Sequence, residues 1–231
     1  MSSNARKAFD KNAEDVNRLL EIHQNLGGDT QGRRFRLEVL NKSAIILITA
    51  FWEAYCEDIA SEALDHIIEN VSAASALPRE LKKKIAKEIK TEQNEIAVWD
   101  LADDGWKTRV KNRPAALTEE RNRKLNTPKS ANMDELFSDA IGLSAVSNAW
   151  RWKRMSTQRA KQKLDDYVSL RGAIAHRGAA ASSCTKRHVE DYFSHVKELA
   201  AKTGGSINTF VKGVTGKSLW RDGKTRHPPI R

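Results

Sequence analysis

The segment LRGAIAHRG, residues 170–178, sets an arginine and a histidine five residues apart with mostly small side chains between them. Arg171 stays protonated at any ordinary pH, and its planar fork matches phosphate oxygens. His176 can gain or lose a proton near neutral pH and so act as a general acid or base. Together the two suit proton transfer on a phosphate ester. Neighbours on a helix surface are three or four residues apart. Five steps of 100° instead put these side chains about 140° apart around a helix axis. Gly172, Ala173 and Ala175 would let a second helix or a ligand come close. The plainer alternative pairs Arg171 with an acidic neighbour and leaves His176 as a helix cap.

A second cluster is WRWKR, residues 150–154. Trp150 and Trp152 alternate with Arg151, Lys153 and Arg154. Aromatic faces can stack on unpaired bases while cations hold phosphates. Two readings stay open for the tryptophans, base stacking or core packing. Arg159, Lys161, Lys163, Arg177, Lys186 and Arg187 follow nearby and favour an electropositive region. Glu53 lies inside an apolar helical run, where an unpaired carboxylate is costly. It either supports Arg171 or His176 from behind, or faces solvent beside Glu57.

The 231 residues carry a net charge of +10, with 30% charged and 39% apolar side chains. That excess suggests a polyanionic partner, nucleic acid before membrane. The longest apolar run, AIILITAFW, is far short of the roughly 20 residues of a membrane span. The polar opening does not read as a signal peptide. Cys56 and Cys184 offer no disulfide framework, so a reducing, cytoplasmic setting is expected. No paired-Cys signature or HExxH appears, no Gly-rich phosphate loop, and no nucleophile triad. Neither a metal nor a cofactor is expected, and His188 and His195 read as helix-surface residues.

Positioning these groups calls for helices throughout. Apolar spacing predicts helices over 4–26, 33–71, 78–90, 133–141 and 157–176. Asn132 and Glu135 suggest a cap pairing, and Gly142 a stop. A further helix is predicted from Thr185 to a stop at Gly204-Gly205, with a short helix at 206–213. Residues 92–131, broken by Pro114 and Pro128, read as a mobile insertion of short helices and loops. The expected organisation is one all-α domain over 1–215, a bundle of four to five principal helices, with a basic tail at 216–231.

AIILITAFWEAYCEDIASEAL at 44–64, MDELFSDAIGL at 133–143 and LDDYVSLRGAIAHRG at 164–178 resemble, in this order and spacing, the HEPN superfamily. Within it they are most similar to the RiboL-PSP-HEPN group, over roughly residues 35–200. The resemblance implies an all-α bundle that dimerises. Arg171 and His176 match its R-x4-6-H motif, which in many members cuts RNA without a metal by attack of the 2′-hydroxyl. Where the family often has Asn, Asp or His after the arginine, this chain has Gly172, which has no side chain to position a phosphate. A homodimer would supply two of each residue across one cleft, so that acid and base come from different subunits. The implied protein is an endoribonuclease, a toxin or antiviral effector with RNA and an antitoxin or regulatory protein as partners. Members that bind RNA or nucleotides without cutting leave a non-catalytic dimer as the alternative.

Overall fold

Apolar residues at helical spacing have to be buried on one another, and here they build helices alone. The computed structural model describes residues 2–27, 37–113, 127–177 and 184–220. In chain order the helices are α1 (Asn4–Gly27), α2 (Glu38–Asn70), α3 (Arg79–Thr91), α4 (105–113 as described), α5 (Ser130–Ile141), α6 (Thr157–Arg177) and α7 (Lys186–Thr215). Among the described residues the one strand-like feature is a bridge between Trp152 and Met155.

The axis of the bundle is α2. Ile45, Ile48, Trp52, Cys56, Ile59 and Ala63 are all buried and form one stripe along it, widened by the buried Thr49, Tyr55, Ala60 and Leu64, while Ala50, Ala54 and Asp58 face solvent. A helix buried over so wide an arc needs several neighbours. It packs against α1 and α7 along its length and against α5 and α6 at its sides. Trp52 meets Trp150 edge-on at 5.8 Å, and Tyr55 donates to the Ala200 carbonyl at 2.8 Å.

Two helix ends differ from the sequence reading. Asn132 does not cap α5. That helix starts at Ser130, whose N–H and hydroxyl both donate to the Asp165 carboxylate of α6, at 2.7 and 2.9 Å. A carboxylate from another helix thus fills the capping role at a helix N-terminus, where negative charge is favoured. Gly142 does stop α5, with φ of +77°. The second difference is in α7, which runs through Gly204-Gly205 to Thr215 and absorbs the short helix expected at 206–213. A Cβ on Gly204 would lie 2.8 Å from the Tyr55 hydroxyl, so the glycine admits α2 rather than ending α7. The true stop is Gly216, at φ of +73°.

The described part of the insertion is anchored. Trp106 and Val110 of α4 are buried, and Arg113 holds Glu88 at 2.7 Å and the Asp139 carbonyl at 2.6 Å. Residues 114–126, which include Pro114, lie outside the described residues. The bundle also reaches past residue 215: Leu219 and Trp220 pack on the core, and the Trp220 N–H donates to Asn208 at 3.3 Å.

The two glycines of α7 should therefore behave oppositely. Gly205 is exposed, with nothing within 4 Å of an added Cβ. Gly205→Ala is expected to raise stability by about 0.5–1 kcal/mol. Gly204→Ala should lower it by crowding Tyr55. Urea unfolding of both variants checks this, and equal effects would contradict the packing described.

Candidate functional site

Arg171 continues the buried stripe of α6. Leu164, Val168 and Arg171 follow at i, i+4 and i+7, and so share one face. The first two are fully packed, and Arg171 is half-buried. Its Nε is buried and has no hydrogen-bond partner among the described residues. The guanidinium lies close enough to Tyr192 of α7 to act on its phenol. Burial, the larger effect, pushes that phenol up, while the Thr49 hydrogen bond and the Arg171 charge pull it down. Tyr192 and Thr49 of α2 share a hydrogen bond of 3.0 Å. An arginine facing apolar helices with an unmet donor is costly to fold.

His176 sits on the last turn of α6 and is exposed, with no hydrogen bond among the described residues. The single chain thus turns its two motif residues in different directions, as five helical steps require. Gly172 between them has nothing within 4 Å of an added Cβ, so no neighbour within the chain needs it to be glycine. Glu53 is half-buried on α2 and is engaged in an interaction of its own. No described contact brings it to Arg171 or His176.

The WRWKR cluster divides. Trp150 is fully buried, with its indole N–H donated to Thr203 at 2.9 Å. It has no open face for a base, so core packing replaces the stacking role. Trp152 is half-buried against the His195 ring, 5.4 Å between centroids. Paired backbone hydrogen bonds between Trp152 and Met155, at 3.2 and 2.9 Å, close a tight turn with Lys153 and Arg154 at its tip. Arg151, Lys153 and Arg154 are exposed, as the basic reading expected. The Arg177 side chain lies outside the described residues.

Sequence reasoning missed a polar seam where α6 meets α7. Lys163 and Tyr167, one turn apart on α6, both donate to Asp191 of α7, at 2.7 and 2.9 Å. Partial burial opposes ionisation of Asp191, yet these two bonds hold its carboxyl below the ordinary range. Tyr167 stacks on Tyr192 at 4.2 Å. The i, i+4 pair of α6 was visible in sequence, but its partner on another helix was not. Cys184, beside this seam, is pushed up to about 11 by burial and by Glu38, which makes its thiol a poor nucleophile.

His195 is not the surface residue expected. It is 3% exposed, its Nε2–H donates to the Ala160 carbonyl at 3.0 Å, and its Nδ1 has no partner. His188 instead closes a capping box with Thr185 at the start of α7. Among the described residues no three His, Cys, Asp or Glu side chains gather as metal ligands would, and no helix is long and apolar enough to cross a membrane.

An all-α bundle with an R-x4-H segment on its penultimate helix defines a HEPN-type protein. The RiboL-PSP-HEPN family model matches residues 10–209, and the chain belongs to that family. HEPN domains are often ribonucleases or bind nucleotides. No curated protein and no solved structure matches the chain.

Burial, the dominant cause, lowers the His195 imidazole to about 4, against the Ala160 bond that raises it. Between that value and the unfolded value near 6.5, the unfolded chain binds a proton that the native chain does not. The stabilisation is therefore full above about pH 6.5 and is lost as pH falls toward 4. Urea midpoints at several pH values should show this fall, and His195→Gln should flatten it. Parallel profiles for the two proteins would contradict the assignment.

Proposed function

We propose that this chain is a metal-independent endoribonuclease that acts as a two-fold homodimer, with Arg171 and His176 of each subunit meeting across the seam. The observation that carries the reading is Arg171, half-buried on α6 of a HEPN-family chain and without an ion pair among the described residues. The part of the Arg171 side chain that remains accessible is one that a phosphate or a second subunit can pair with. In the reaction, one His176 takes the proton of the substrate's 2′-hydroxyl, whose oxygen attacks the adjacent phosphorus. The other His176 gives a proton to the departing 5′-oxygen. Arg171 balances the charge that builds on the phosphorane. The products are a 2′,3′-cyclic phosphate and a free 5′-hydroxyl. Arg151, Lys153, Arg154 and Arg177 serve as phosphate contacts, Trp152 as an apolar edge of the RNA path, and Glu53 as a supporting residue. The setting that fits is a cytoplasmic toxin or antiviral effector held in check by an antitoxin or regulatory protein.

A second reading, an RNA- or nucleotide-binding dimer without turnover, is favoured by Gly172. No side chain there can orient His176, and no described residue hydrogen-bonds to that imidazole.

RNA cleavage should survive EDTA, and DNA should resist. His176→Ala should lower the rate by about a hundred-fold or more, and Arg171→Ala should also lower it. His23→Ala, on α1, should keep activity. Light scattering should give the mass of a dimer. Reversing the charge of Arg151 and Lys153 should weaken binding, and added salt should weaken it further. Full cleavage by the His176 variant would sink the catalytic reading. Tight binding by the wild type without any cleavage would leave the second.

A further inference from the structure

The groove between α6 and the start of α7 takes no part in the proton transfers assigned to His176, yet its lining has the makeup of a base-binding slot. It encloses about 550 Å³, a size suited to a nucleotide. Tyr167 and Tyr192 are stacked within 13° of parallel. Tyr192 is fully buried beneath, so the outer face of the Tyr167 ring is the one turned to the groove. An aromatic face of this kind is a platform for any base. Met155 and Leu170 add apolar walls. Asp166 accepts from Gln162 through Oδ1 at 2.8 Å, and its Oδ2 is left to accept from a ligand. Arg159 also lines the groove, is exposed, and has no ion pair among the described residues, unlike Lys163, which is committed to Asp191. Met155 also lines a cleft beside Arg151 and Trp152, so the two depressions adjoin.

We infer that this groove holds one nucleotide of single-stranded RNA, with its base stacked on Tyr167, its exocyclic amine donated to Asp166 and its phosphate on Arg159. The inference rests on the reading of the chain as a protein that acts on RNA, and it gives that site a base preference. Adenine, cytosine and guanine each carry an amine that a carboxylate accepts. Uracil has no such amine, and its one edge donor, N3–H, lies between two carbonyl oxygens that an aspartate repels. The slot is well placed for the chemistry: from Tyr167 to Arg171 the helix rises about 6 Å, close to the step between neighbouring nucleotides. Tyr167 thus takes the stacking role that Trp150, sealed in the core, has no free face to perform.

The test uses the full chain carrying His176→Ala, so that RNA is bound without being consumed. Fluorescence anisotropy compares short single-stranded oligocytidine with oligouridine. Oligocytidine is expected to bind about ten-fold more tightly, the worth of one hydrogen bond to a charged acceptor. Adding Tyr167→Leu should weaken oligocytidine binding by about ten-fold or more, whereas Tyr167→Phe should keep it. Asp166→Asn should erase the difference between the two oligonucleotides, because an amide can turn either its oxygen or its NH2 to the base. Should Tyr167→Leu fail to fold, Asp166→Asn and Arg159→Ala, both at exposed positions, decide the matter. Equal binding of the two oligonucleotides, or indifference to the Asp166 and Arg159 changes, overturns the inference. Cleavage by the wild type that ignores Tyr167 and Asp166 overturns the groove and spares the nuclease reading. The expected binding pattern without cleavage overturns the nuclease reading and spares the groove.

Discussion

A helix of 33 residues that buries more than half of its circumference leaves only a narrow face, at Ala50, Ala54 and Asp58, for water. That constraint governs the fold. Around the rest of α2 the chain must supply apolar stripes, and α1, α5, α6 and α7 do so. Trp52 and Trp150 meet at the centre, each with its indole N–H satisfied, by the Pro128 carbonyl and the Thr203 hydroxyl respectively. Buried indoles need such partners, and these two fix where the 127–130 segment and α7 can sit. Gly204 follows from the same demand, because α7 can close on Tyr55 only where it lacks a side chain.

Against that apolar axis the polar groups gather at the meeting of α2, α6 and α7. Thr49, Tyr192, Tyr167, Asp191 and Lys163 are linked pairwise by hydrogen bonds or stacking. Arg171 lies at the edge of this chain without a hydrogen bond at Nε. A network whose other members are partnered makes the unmet donor informative. Hydrogen bonds and stacking hold the residues beside it in place. Rigid support behind a phosphate-matching group is what transition-state stabilisation requires. The same network stiffens Tyr167, which lies flat on a fully buried ring beside the groove.

Much of this was legible along the chain. The all-α fold, the starts of α6 and α7, the stop at Gly142 and the burial of Cys56 follow from periodicity and capping, which are local. The R-x4-H spacing and the apolar run around Trp52 were enough to suggest the family that the matched model establishes. Roles that depend on a distant partner were not legible. Asn132 looked like a cap because its neighbours fit the pattern, yet the cap comes from Asp165, 35 residues beyond Ser130. Trp150 and Trp152 carry the same side chain two residues apart, and only the position of α7 and of His195 decides that one is sealed and the other half-open.

The sequence by itself determined the helices, the axis that they must enclose and the chemistry available at Arg171 and His176, because side-chain type and period act within a few residues. Tertiary structure alone decided that Gly204-Gly205 would be a contact instead of a stop, that His195 would be buried and that Tyr167 would rest on Tyr192 beside a groove. Each of these turns on which surfaces meet. That is settled by packing around α2, between residues too far apart along the chain for any local pattern to join them.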